Sequence, residues 1–135
     1  MEREWVFELN KLILEQTNDL WLIASALVVF QVFVIAYISS SVRPAVGARR
    51  TLVTFALAAS AILYVTSLLF GYLAKGAVID AVRAVAGGKQ WLFPSMAGWM
   101  NLGQFGSLAI GLLIFIATFV LEPRFLSRAV KEAAR

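Results

Sequence analysis

The sequence predicts an all-α, polytopic integral membrane protein with three transmembrane helices and three amphipathic flanks. Three observations carry that expectation. The 135-residue chain is 61% hydrophobic and 15% charged, against roughly 45–50% and about 25% in soluble proteins, and its mean hydropathy is +0.82. Its ionisable side chains gather at 1–19, 43–50, 75–89 and 122–135, leaving 20–42, 51–74 and 90–121 without charge. Each uncharged stretch holds a run of 23 residues, at 20–42, 52–74 and 99–121, which makes about 34 Å of helix and exceeds the roughly 30 Å core of a bilayer. Helix is required there because lipid offers no partner to an unpaired backbone amide.

The same composition excludes several function classes. A soluble domain of this length buries only about two-thirds of its surface, so a soluble enzyme, a disordered tail and a nucleic-acid module do not fit. The chain has neither Cys nor His, which removes disulfides, thiol chemistry, zinc fingers and His-ligated haem. No metal or cofactor is expected, and one membrane domain, 1–135, accounts for the length.

Residues 2–16 have helical periodicity. Trp5, Val6, Leu9, Leu12 and Ile13 share one face, and Glu4, Glu8, Lys11 and Glu15 share another, as in a helix lying on a membrane or docking on another subunit. Lys11 can pair with Glu8 and Glu15, for about 0.2–0.5 kcal/mol each. Thr17, Asn18 and Asp19 supply capping side chains before the first span, 20–42. That span stops at Arg43-Pro44, because proline disfavours helical geometry in the residue before it. The second span is 52–74. Residues 76–86 turn Val78, Ile79, Val82, Val85 and Ala86 one way and Asp80 and Arg83 the other, and Gly87-Gly88 closes them in the manner of a helix C-cap. They form either an interfacial helix or a continuation of the second span. Trp91, Phe93 and Trp99 surround Pro94 before the third span, 99–121, as aromatic belts do at the headgroup level. In the tail, 124–135, Arg124, Arg128, Lys131 and Arg135 make a basic stripe suited to anionic lipid headgroups, at about 1 kcal/mol per charge.

Sidedness follows from Lys and Arg. The 43–50 loop and the C-terminus share one side with seven basic residues, and the N-terminus and 75–89 share the other with five. The positive-inside rule then places the C-terminus in the cytoplasm and the N-terminus outside, in a cell membrane of the bacterial inner-membrane kind. An uncleaved chain is expected, because the acidic first residues lack the basic n-region of a signal peptide. With Glu at position 2 and no Cys, lipidation is not expected either.

No ionisable group lies within the spans, which argues against a proton relay, a pump or catalysis. What remains is packing chemistry. Gly103, Ser107 and Gly111 form a ridge spaced by four, with shorter versions at Ala56-Ser60 and Ser67-Gly71; such small residues let helix backbones approach closely. The ridge serves either packing within one three-helix unit or self-association. Gln31, at the centre of the first span, and Asn101 and Gln104, at the start of the third, need protein or water and are candidate pore-lining residues, with Ser107 beside them. The expected function is a self-associating, homo-oligomeric channel or pore in the lipid bilayer. The alternative is a non-catalytic accessory or anchoring subunit of a larger membrane complex. A small-molecule transporter ranks third, and no nucleic acid is expected as partner.

Overall fold

The computed structural model describes residues 2–41, 48–88 and 96–121. They form three helices: α1 (Glu2–Ser41), α2 (Ala48–Ala86) and α3 (Met96–Leu121). All three contain a segment long and apolar enough to cross a membrane. At 40, 39 and 26 residues, their lengths are about 60, 58 and 39 Å. The first two are therefore nearly twice the thickness of a bilayer core.

The helices run up, down and up. Ile13 of α1, Val78 of α2 and Ala97 of α3 belong to one apolar cluster, whereas further along α1 Gln31 meets Leu57 and Ser60 of α2, and Phe30 meets Phe115 of α3. Progress along α1 thus runs backwards along α2 and forwards along α3. The closest pair is α2 with α3; α1 packs mainly on α2 and touches α3 along a narrower line.

Buried positions recur every three or four residues. They are Asn10, Ile13, Thr17, Leu20, Ala24 and Gln31 in α1, and Val53, Leu57, Ser60, Tyr64, Ser67, Ala74 and Val78 in α2. In α3 they are Ala97, Gln104, Ser107, Leu108, Phe115 and Thr118. This 3–4 alternation is the seam spacing of left-handed helix packing, in soluble coiled coils and in membranes alike. The opposite faces carry Phe33, Phe55, Ile62, Leu69, Leu113 and Ile116, all exposed. In water such a surface would be unstable; in lipid it is the correct solvent-facing one.

One element differs from the sequence expectation, and a second falls on one of the two alternatives that the sequence leaves open. Thr17-Asn18-Asp19 does not separate a 2–16 helix from a 20–42 span; α1 passes through unbroken. Thr17 is buried and turns its hydroxyl to Asn101 instead of capping, and no Gly or Pro interrupts 2–41. Tertiary packing here overrides a capping preference worth only about 1 kcal/mol. Likewise 76–86 is the end of α2, which resolves the choice between an interfacial helix and a continuation. The Gly87-Gly88 stop is as expected: Gly87 N–H donates to the Arg83 carbonyl at 3.0 Å and Gly88 has φ +78°, a left-handed conformation that suits glycine.

The N-terminal part of α1 and the C-terminal part of α2 lie at the same end of the bundle. Asp19 and Lys75 are the last charges before their spans. Trp21, Tyr72 and Trp99 are exposed near that end, and Lys75 Nζ sits 5.6 Å over the Trp21 ring. Aromatic side chains beside cations mark the headgroup level. Past Asp19 and Lys75 α1 continues to Glu2 for about 27 Å and α2 to Ala86 for about 18 Å, as a two-helix arm bearing Glu4, Glu8, Lys11, Glu15, Asp80 and Arg83.

Candidate functional site: a polar seam and a projecting arm

The polar residues of the spans converge on the bundle axis. Gln31 is 1% exposed; its Nε2 donates to the Leu57 carbonyl at 2.6 Å and to Ser60 Oγ at 2.5 Å. Ser60 in turn donates to the Leu57 carbonyl at 2.9 Å. An amide at membrane depth thereby fixes the register of α1 on α2.

A second node lies nearer the arm. Gln104 is fully buried and donates from Nε2 to the Thr17 carbonyl at 3.2 Å. Thr17 Oγ1 donates to Asn101 Oδ1 at 3.3 Å, and Asn101 Nδ2 donates to Gln16 Oε1 at 3.0 Å. Ser67 Oγ reaches the Gln104 carbonyl at 2.9 Å. All three helices meet in this node. Ser107 and Thr118 instead bond back to their own helix, at Gly103 and Ile114, as membrane-buried hydroxyls commonly do.

The glycines are the sockets of this packing. A Cβ on Gly71 would lie 2.6 Å from Gln104 Nε2, and one on Gly111 would lie 2.8 Å from the Tyr64 ring. A Cβ on Gly103 would meet the Phe70 ring at 3.1 Å. Thus Gly71 of α2 receives a side chain from α3, while Gly103 and Gly111 of α3 receive rings from α2. The face carrying Gly103, Ser107 and Gly111, together with Ser67-Gly71, is occupied within one chain.

Sequence reasoning missed Asn10, Gln16, Thr17 and Tyr64 as members of the seam. The signal was a seven-residue step. Asn10-Thr17-Ala24-Gln31, Val53-Ser60-Ser67-Ala74 and Ala97-Gln104-Gly111-Thr118 are each spaced by seven, and every member is buried. Small and polar residues at one heptad position in three helices define a common axis.

The arm has its own chemistry. The expected apolar face of 2–16 is only partly used: Ile13 is buried and Leu9 packs beside it, but Trp5 is 70% and Leu12 61% exposed. The apolar arc is wider than the line along which α1 meets its neighbours among the described residues. Lys11 and Glu15 pair at 3.9 Å, an exposed contact worth a few tenths of a kcal/mol. The basic stripe Arg124, Arg128, Lys131 and Arg135, the side chain of Val6 and the 43–47 connection lie outside the described residues. No protein-family model, curated protein or solved structure matches the chain.

Proposed function

We propose that the protein is a non-catalytic accessory or anchoring subunit of a larger membrane protein complex. The observation that carries this is the arm. Two helices continue unbroken past Asp19 and Lys75, charged and still packed on each other through Leu9, Ile13, Val78 and Val82, with Trp5, Phe7 and Leu12 exposed. Meanwhile the amides and glycines suited to building a pore already engage one another inside one chain. Following the distribution of Lys and Arg, the arm stands outside a cell membrane of the bacterial inner-membrane kind and the C-terminus lies in the cytoplasm. The Arg124–Arg135 stripe then meets anionic headgroups of the inner leaflet.

A homo-oligomeric channel or pore is the second reading, and one observation favours it. Gly98 and Gly106 of α3 have open space where a Cβ would stand, so a second copy can approach that helix closely. Purification of the tagged chain from its own membrane in mild detergent, followed by native mass measurement and ion flux in liposomes, separates the two. The anchoring reading expects other subunits in fixed ratio and no flux from the isolated chain. A multimer of this chain alone that conducts ions would overturn it.

A further inference from the structure

Lys75 of α2 is half-buried, and its Nζ stands 5.6 Å over the Trp21 ring of α1. Helical side chains lean toward the N-terminus of their own helix, and the N-terminus of α2 lies at the opposite membrane face. The ammonium therefore turns toward the bilayer, in keeping with Trp21, which lies just inside Asp19, the last charge before the first span. Among the described residues the one ion pair joins Lys11 to Glu15, so no carboxylate answers Lys75. The nearest acids in sequence face elsewhere. At about 100° per residue, Glu15 and Asp19 lie about 120° and about 160° round α1 from Trp21, and Asp80 lies about 140° round α2 from Lys75.

The groove holding this pair opens away from α3. That helix meets α1 at Gln16 and α2 at Phe70, and these stand about 140° round their helices from Trp21 and Lys75 respectively. On the open side Trp21 is 41% and Tyr72 75% exposed. Asn18, exposed one turn before Trp21, adds an amide donor to that face. Val32 of α1 and Val65 of α2, both exposed, continue the same two faces toward the bilayer centre, where acyl chains lie.

A half-buried ammonium at the headgroup level needs an anion, and the anion that a bilayer supplies there is phosphate, which lysine binds as a point charge. Phosphatidylcholine brings its own ammonium, which offsets the phosphate and competes for the Trp21 ring. An anionic phospholipid brings the phosphate without that competitor. We propose that Lys75, Trp21 and Asn18 seat the phosphate of one anionic phospholipid on the arm side of the membrane, with its acyl chain along Val32 and Val65. The seat stands at the opposite membrane face from Leu121, after which the basic stripe of 124–135 begins. It does not depend on whether the chain anchors a larger complex.

The test uses the full chain with Trp5, Trp91 and Trp99 replaced by Phe, which leaves Trp21 as its only indole. The chain is reconstituted in phosphatidylcholine vesicles containing increasing fractions of phosphatidylglycerol brominated on its acyl chains, with brominated phosphatidylcholine in parallel. Quenching of Trp21 reads the lipid in contact with it and is blind to the opposite face. Phosphatidylglycerol should be preferred about fivefold, the factor one lysine contributes beside anionic headgroups. Lys75→Gln should bring the ratio to about one, and Lys75→Arg should keep it. If the triple Phe chain does not reconstitute, native mass spectrometry of the otherwise unaltered chain reads the same contrast: Lys75→Gln should lose one bound phosphatidylglycerol that Lys75→Arg retains. A preference below about twofold, or one that Lys75→Gln leaves unchanged, overturns the proposal. So does a preference that inorganic phosphate abolishes at constant ionic strength, since the seat would then take the free ion.

Discussion

Gly111 and Gly106 lie less than two turns apart on α3, and alanine at the two should have opposite effects. A Cβ at Gly111 would stand 2.8 and 3.0 Å from two carbons of the Tyr64 ring and 3.2 Å from Leu63 Cβ, whereas one at Gly106 meets nothing within 4 Å. Tyr64 is fully buried, so its ring cannot swing aside without moving α2. Overpacking of a close-packed interior costs about 1–3 kcal/mol. Against this, Gly→Ala in a helix gains up to about 1 kcal/mol in both variants. That gain is common to the pair and cancels in the comparison. Gly111→Ala should therefore be about 1–3 kcal/mol less stable than Gly106→Ala, a factor of about 5–150 in the unfolding equilibrium. Thermal or denaturant unfolding of the two variants in one detergent reads it directly. In a Tyr64→Val background the gap should shrink, because the socket is then empty. A gap below about 0.5 kcal/mol with Tyr64 in place would refute the glycine-socket packing of α2 on α3.

Other outcomes follow from the same geometry. Gln31→Leu should cost little, near the roughly 0.6 kcal/mol average of membrane hydrogen bonds, and Ser60→Ala added to it should cost almost nothing more, which a double-mutant unfolding cycle measures. Cysteines at Glu8 and Asp80, both exposed on the arm, should label from the same side of sealed vesicles with an impermeant maleimide, and labelling from opposite sides would separate the two arm helices. Gly71→Leu should destabilise the bundle by about 1–3 kcal/mol, because even a Cβ there lies 2.6 Å from Gln104 Nε2 and the full side chain displaces that amide from Thr17, and an unchanged melting profile would contradict the buried placement of that amide.

Length and charge made the three spans legible, because crossing lipid constrains composition over about 20 residues at a time. The continuity of α1 was not legible. Thr17 and Asp19 resemble helix caps when read alone, and only the presence of Asn101 beside Thr17 shows why the helix continues. The same limit hid the destination of Gln31: its partners are 26 and 29 residues away, and no local pattern names them. The ridge of Gly103, Ser107 and Gly111 was visible as small residues, but its occupants, Phe70 and Tyr64, were not. A spacing signal did exist. Seven-residue steps of small or polar residues in all three helices point to one axis, although no four-residue motif within a single helix displays them.

The most direct test is a spin-label accessibility scan along α1. Single labels at the exposed positions Trp5, Phe7, Leu12, Leu22, Ile23, Val29 and Phe33 are compared for collision with a water-soluble nickel chelate and with oxygen, which concentrates in lipid. A helix that leaves the membrane near Asp19 predicts chelate-dominated labels at Trp5, Phe7 and Leu12 and oxygen-dominated labels from Leu22 onward. Oxygen-dominated labels at Trp5, Phe7 and Leu12 would place that segment in lipid, and there would be no arm.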